Sequence, residues 1–416
     1  MTVGKPHWGM LFALIVLGGG TRGMLLGRET IEEGQCKLVP TKFDPSNPLF
    51  GLTYRLLSAQ AGKPHAVRDL PAGFDWPCYY MMKTAGKQVL LVKNLSAKPS
   101  LCVDTRGDGV LSQQRCFAGT NTRKLWRFGP ISLASEAGAN ETDGSFYMEC
   151  SRGDAPGSLT VYPAFFHTGK LRLAGKIYQV AVADGDYDGR FRSFLSLPLD
   201  RGRRPALDAF AIDLNRNGKF ENSASGRSEI VPLGHLVRVA DAYYAIDIAP
   251  DGTSLTFSRT EPSLGTLVVE GDDLAVQLKL WSDAASQCLA PGRQWQLPAG
   301  QYAAVHATLE KKDAARNVWT FSGGLSAAPG DLGSLDSFVI KPGETTSIKI
   351  GPPLVVKAEV QRVAAGLVSI RPVITGCAGE QYQTDFQRNH KRAPQPKLKI
   401  VDEKGTVLVT DKFQYG

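Results

Sequence analysis

Short alternating runs of apolar and polar residues, separated by glycine and proline, cover most of the chain after residue 60. Runs such as KQVLLVKN, KIYQVAVA and LAVQLKLWSD have the length and the β-branched content of strands. Long helical periodicities are scarce, and 44 glycines and 25 prolines favour frequent turns. The pattern therefore predicts a mainly β, multi-domain chain, in which a β-rich region with acidic hairpin loops precedes β-sandwich domains.

Shifts in this pattern divide the 416 residues into five segments. We expect a signal peptide or membrane anchor over residues 1–25, and a linker with a short helix over residues 26–60. A β-rich domain with three acidic loops follows over residues 61–260. A β-sandwich over residues 261–351 and a small C-terminal β-sandwich over residues 352–416 complete the prediction.

Two apolar runs in the β-rich region stop at an aspartate, and each is followed by alternating acidic or amide side chains and a glycine. The first loop reads Asp184, Asp186 and Asp188 before Gly189. The second loop reads Asp213, Asn215 and Asn217 before Gly218. Alternate oxygens on a tight loop can converge on one hard cation, and the glycine permits the sharp turn. The spacing predicts Ca²⁺ at both loops.

The remaining ligand positions of a calcium loop are only partly filled. Arg190 and Lys219 would each offer a backbone carbonyl, and Glu221 would offer an oxygen directly or through water. Position 12 is Leu195 in the first loop and Ala224 in the second, so the bidentate glutamate of an EF-hand is missing. Because strand-like runs flank both loops, we predict a strand–loop–strand site.

An ordinary turn is the alternative reading of both loops, because Asp, Asn and Gly clusters are common in hairpin turns. Nearby arginines could also neutralise the first loop without a metal. An upstream loop at Asp104, Arg106, Asp108 and Gly109 has the same spacing. Its arginine occupies a ligand position, so we interpret it as a degenerate relative that binds metal weakly at best.

The loops resemble the Asp-x-[Asp/Asn]-x-[Asp/Asn]-Gly calcium loops of dockerins and EF-hand-like extracellular modules. The sequence VADGDYDGRF…AIDLNRNGKF is similar to sequences in a group of uncharacterised secreted proteins of planctomycete-like bacteria. The phrases LPAGQY and KPGETTSIKIG look like those of immunoglobulin-like sandwiches. The resemblance spans about residues 70–350, and it implies an exported or envelope protein without implying an activity.

The N-terminus is basic at Lys5 and then apolar from Trp8 to Gly20, which is typical of an export signal. No clean cleavage site follows, so an uncleaved membrane anchor is the alternative. The expected location is therefore periplasmic, extracellular or membrane-anchored. The net charge of +8 is scattered along the chain, which argues against nucleic acid as a partner.

Seven cysteines occur without a CxxC pair; an exported chain would permit disulfides, and the odd count leaves at least one thiol unpaired. Cys102 and Cys116 flank the upstream loop, and a bridge between them is one hypothesis. Burial as free thiols is the alternative.

Enzyme signatures do not appear in the sequence, which has no nucleophile elbow, HExxH motif, P-loop or Rossmann fingerprint. The six histidines are isolated from one another. We therefore expect a non-catalytic exported protein with a structural or binding role, whose ligand and oligomeric state the sequence does not indicate. The alternative is an extracellular hydrolase, or an accessory module of one, with scattered catalytic residues.

Overall fold

The structure of the chain is a computed structural model. It describes residues 32–42, 53–75, 77–84, 87–94, 99–122, 125–132, 145–151, 158–191, 193–195, 197, 207–221, 228–271, 274–324, 335, 337–364, 367–382, 386–395 and 397–412. The predicted signal or anchor at residues 1–25 lies outside these ranges. In the described part of the chain, no helix has both the length and the hydropathy needed to cross a bilayer.

Described secondary structure consists almost entirely of strands, which confirms the prediction of a mainly β, multi-domain fold. A short 3₁₀ helix spans Leu111–Gln113. The first eleven strands are β1 (Gln35–Lys37), β2 (Val39–Lys42), β3 (Arg55–Leu57), β4 (Pro77–Thr84), β5 (Lys87–Asn94), β6 (Ser100–Val103), β7 (Cys116–Ala118), β8 (Thr120–Thr122), β9 (Leu125–Ile131), β10 (Phe146–Ser151) and β11 (Leu159–Pro163).

The next seven strands are β12 (Phe165–Leu173), β13 (Lys176–Ala183), β14 (Ala209–Ile212), β15 (Ile230–Pro232), β16 (Leu236–Val239), β17 (Ala242–Ile248) and β18 (Ser254–Thr260). They are followed by β19 (Leu264–Glu270), β20 (Leu274–Ser282), β21 (Gln287–Cys288), β22 (Gln294–Pro298), β23 (Gly300–Lys312), β24 (Val318–Gly324), β25 (Phe338–Ile340) and β26 (Thr345–Lys349). The last seven are β27 (Val355–Ala364), β28 (Leu367–Thr375), β29 (Gln381–Tyr382), β30 (Gln387–Arg388), β31 (Lys391–Arg392), β32 (Lys397–Val401) and β33 (Val407–Lys412).

A first sandwich is formed by two antiparallel sheets, in the orders β4-β5-β6-β7 and β3-β11-β10-β9-β8. Apolar residues from both sheets share one core, which includes Tyr80, Leu91, Phe128, Phe146 and Val161. Both sheets also bury apolar residues on their opposite faces, where Tyr79 and Val92 lie in one further cluster and Tyr162 lies in another. A disulfide joins Cys102 and Cys116, as hypothesised from their positions beside the upstream loop.

A second sandwich contains the sheets β15-β14-β13-β12-β2 and β1-β18-β17-β16. Its core combines residues such as Val180 and Phe210 from one sheet with Ile246 and Phe257 from the other. The predicted β-rich domain over residues 61–260 thus contains two sandwiches with a core each, and a further buried apolar cluster with Tyr162 from the first and Ala181 from the second joins them.

The segment predicted as a linker with a short helix contributes strands to both of these sandwiches. Strand β1 pairs with β18, β2 pairs with β12, and β3 pairs with β11. The part of the predicted helix that the structure describes includes β1 and is extended. Short strands of three or four residues carry too little periodicity to be distinguished from a linker, and the pairing partners lie more than a hundred residues away.

A third sandwich is built from the sheet β22-β19-β26 and the sheet β21-β20-β23-β24-β30-β31, with β25 paired to β23. Its core includes Ile374 and Tyr382, which belong to the segment predicted as a separate C-terminal sandwich. Strand β30 also pairs directly with β24, at Trp319 and Arg388. Described residues after 352, including Ile374, Tyr382 and β30, therefore complete the third sandwich, and β27–β28 and β32–β33 form two further hairpins.

Candidate metal centre

Asp184 and Asp213, the first residues of the two predicted loops, follow strands that are hydrogen-bonded neighbours. Asp184 comes directly after β13, and Asp213 comes directly after β14. These strands run antiparallel, with Val180 opposite Ile212 and Ala183 opposite Ala209. The loops consequently lie at opposite ends of the strand pair, and each must be considered as a separate site.

The loops share one backbone geometry, which the upstream loop at Asp104 also adopts. Their fourth and sixth positions have positive φ in every case, at Gly107 and Gly109, Tyr187 and Gly189, and Arg216 and Gly218. The sixth-position N–H donates to the first aspartate in all three, over 2.8–2.9 Å. The glycine at position six is the residue type that tolerates this conformation, so the sequence spacing correctly predicted the turn.

In the first loop, the structure brings the three predicted carboxylates together. One oxygen from each of Asp184, Asp186 and Asp188 lies within 4.8 Å of the others. Oxygens bound to one calcium ion lie 2.3–2.6 Å from it and hence up to about 5 Å from each other. The donor set and its spacing therefore fit a calcium ion.

Backbone groups hold these carboxylates in place. Asp184 is 5% exposed and accepts N–H groups from Tyr187 at 2.5 Å and Gly189 at 2.8 Å. Asp188 accepts the N–H of Arg190 at 2.7 Å.

Asp186 accepts the N–H of Asp188 at 3.3 Å, and its other oxygen accepts the Ser193 hydroxyl at 2.6 Å. Each carboxylate oxygen has a second lone pair, so these bonds leave capacity for a cation.

A fourth carboxylate, Asp208, adjoins the loop and was missed by the sequence reasoning. It is 1% exposed, and its two oxygens accept the N–H groups of Gly185 at 3.1 Å and Ser193 at 2.9 Å. Asp208 thereby ties together the start and the end of the loop segment. The position of Asp208, one residue before β14, could have identified it. The β13–β14 register sets Ala209 opposite Ala183, which brings Asp208 beside the start of the loop.

Burial, reinforced by the crowding of negative charge, raises the pKa of several of these groups. Burial raises the pKa of Asp184 well above its ordinary value, and the Asp208 and Asp186 carboxylates act in the same direction. Burial likewise raises the pKa of Asp208 well above its ordinary value, and Asp186 adds to the effect. Burial, followed by the Asp186 charge, also raises the pKa of Asp188. The site disfavours its own ionised form and would gain from a bound divalent cation.

Arg55 brings positive charge close to the loop. Its Nη2 donates to the Gly185 carbonyl at 3.3 Å, and its guanidinium carbon lies 5.0 Å from the centre of the Tyr187 ring. Burial lowers the pKa of Arg55, whereas the nearby Tyr187, Asp186 and Asp184 act to raise it. Arg55 thus partly offsets the carboxylate charge, as the ordinary-turn alternative anticipated for other arginines.

The first loop also joins the three sandwiches. Tyr187 is 1% exposed and lies in the core of the first sandwich, where its hydroxyl donates to the carbonyls of Thr53 and Val161. Phe191 lies in the core of the second sandwich.

Leu195 and Leu207 pack against Trp281 and Val305 of the third sandwich. The hydrophobic Leu195 therefore explains why position 12 offers no glutamate: this position contacts another sandwich.

The second loop is closed by side-chain bonds of its own. The amide nitrogens of Asn215 and Asn217 donate to the two Glu221 oxygens, at 3.2 and 2.9 Å. Their amide oxygens accept the N–H groups of Asn217 and Lys219, both at 2.9 Å. Glu221 therefore lies beside the predicted ligands, as the sequence suggested, but the loop carries fewer charges than the first.

A buried glutamate that the sequence reasoning missed supports the second loop. Glu229 is 3% exposed, and its two oxygens accept the N–H groups of Asn215 and Glu221, each at 3.0 Å. It holds the two ends of the loop together, as Asp208 does in the first loop. Glu229 lies outside the calcium-loop spacing, so no motif signalled it.

Comparison of the chain with protein-family models, with curated proteins and with solved structures found no match.

Proposed function

We propose that this chain is a non-catalytic exported protein, with a structural or binding role, whose first acidic loop holds a calcium ion. The observation that carries the proposal is the cluster of Asp184, Asp186, Asp188 and Asp208 at the junction of three sandwiches. A cation there would relieve carboxylate repulsion in the segment that contacts the cores of the first two sandwiches and a separate apolar cluster on the third. Calcium would therefore fix the relative positions of the sandwiches.

The chemistry of the site favours calcium over a transition metal, because all the candidate ligands are oxygens. Millimolar calcium outside cells matches a site that lacks the bidentate glutamate, for which a dissociation constant of ~0.1 to 1 mM is typical. The basic and apolar N-terminus supports export. A second, weaker site at Asp213, Asn215 and Asn217, with Glu221 beside it, is part of the same proposal.

Thermal unfolding tests the proposal on the wild-type protein. With ~1 mM free calcium and a dissociation constant near 0.1 mM, binding to the folded state adds about 1.4 kcal/mol. We expect the unfolding transition to rise by a few degrees in calcium relative to a chelator. Magnesium serves as the control, because it requires a stricter octahedral geometry and should raise the transition less. Superimposable unfolding curves in calcium and in chelator would refute the proposal.

A further inference from the structure

The β27–β28 hairpin projects from the third sandwich with an amphipathic cross-section. Near its base, β28 is buried at Ile374, which is 4% exposed, whereas Val356 and Val360 of β27 are 68% and 64% exposed. The register sets Val356 opposite Ile374 and Val360 opposite Ile370, so these side chains share one face. The other face carries Lys357 and Glu359, and Glu359 pairs with Arg371 at 2.7 Å.

The outer edge of β27 has no strand beside it within the described residues, where β27 pairs with β28 alone. The backbone N–H and C=O groups along a free edge can accept a further strand. Charged side chains on an edge, lysine above all, normally oppose such pairing. Strand β27 carries charges of both signs, in an order that matters for pairing with a copy of itself.

Lys357 and Glu359 flank Ala358 symmetrically. In an antiparallel sheet formed by two copies about a two-fold axis, one residue faces its own copy, and its neighbours face each other in reverse order. An axis at Lys357 or Glu359 would place like charges opposite each other, which destabilises a strand pair. An axis at Ala358 places each lysine opposite a glutamate.

We propose that a second copy of this chain pairs with the first through β27, antiparallel and centred on Ala358. Lys357 then lies opposite Glu359 of the partner subunit, and Val356 lies opposite Val360 of the partner subunit. Both contacts occur twice, so the polar face gains two ion pairs and the apolar face gains two valine pairs. The interface is small, which implies a weak and concentration-dependent dimer.

Sedimentation of the full chain over rising protein concentration tests this inference. The wild type is expected to form dimers below ~1 mM, a threshold that corresponds to about 4 kcal/mol of association free energy. Lys357→Glu and Glu359→Lys should each be monomeric, because each variant sets like charges against each other. Mixing these two variants should restore dimers, since one strand then presents two carboxylates and the other two ammonium groups.

A matched control is Lys341→Glu, which reverses one charge of the exposed Lys341–Glu344 pair away from β27 and should leave dimerisation unchanged. A wild type that stays monomeric up to ~1 mM would overturn the inference. Variants that dimerise as the wild type does, or a mixture that stays monomeric, would overturn the proposed register.

Discussion

Tyr187→Ala is expected to lower the free energy of unfolding by about 3–5 kcal/mol, the usual cost of truncating a buried aromatic side chain. The Tyr187 ring lies in the core of the first sandwich, 5.5 Å from the Phe146 ring between centroids. Its hydroxyl donates to Thr53 and Val161. Alanine would leave a cavity and two buried carbonyls with one donor fewer. Urea unfolding followed by circular dichroism measures the loss.

The control for this prediction is Tyr187→Phe, which keeps the ring and removes the hydroxyl. We expect it to cost only about 1–2 kcal/mol, since the loss is confined to hydrogen bonds. If Tyr187→Ala changed stability by no more than this control, the loop would not be anchored in the first core. The positive φ of 63° at Tyr187 is the same in both variants, so it does not bias the comparison.

Asp188→Ala is expected to lower calcium affinity at least tenfold while leaving the calcium-free protein nearly as stable as the wild type. Asp188 accepts a single backbone N–H, from Arg190, and burial together with the Asp186 charge raises its pKa, so its ionised form lacks compensation without a cation. In ~1 mM calcium, a dissociation constant raised from ~0.1 to ~1 mM reduces the stabilisation from roughly 1.4 to roughly 0.4 kcal/mol. Unfolding in calcium and in chelator measures both effects.

The upstream loop offers a matched control, because Asp108 occupies the position that corresponds to Asp188. Asp108 lies 3.4 Å from the Arg106 Nε and accepts the N–H of Val110 at 3.0 Å. Asp108→Ala should cost the same small amount with and without calcium. An Asp188→Ala effect that is equally insensitive to calcium would mean that the first loop is an ordinary turn as well.

Local features of the loops were predictable from the sequence because they depend on residues close together in the chain. The aspartates follow strands, and Gly189 and Gly218 have the positive φ that their spacing required. Among the described residues, β13 and β14 are the strands before and after the first loop, and β14 and β15 are those before and after the second. Such turns combine short-range hydrogen bonds with backbone preferences, and both are readable from a motif.

Features that depend on distant pairing were not predictable. Asp208 reaches the first loop because β13 and β14 pair, although it lies 19 positions after Gly189 along the chain. Tyr187 resembles any loop residue in sequence, yet it fills the core of a sandwich to which its neighbouring strands do not belong. Strand β30 similarly completes the third sandwich from beyond the predicted boundary at residue 352. The pattern of apolar residues indicates which face of a strand is buried. It does not indicate which other strands pack against that face.

Calorimetric titration of the wild-type protein with calcium tests the central claim most directly, since it measures binding without relying on stability. For the wild type we expect a saturable heat with a dissociation constant of ~0.1 to 1 mM. For Asp188→Ala we expect an affinity at least tenfold lower. The Asp108→Ala protein should titrate as the wild type does. A titration without saturable heat up to ~10 mM calcium, well above that range, would contradict a calcium site at the junction of the three sandwiches.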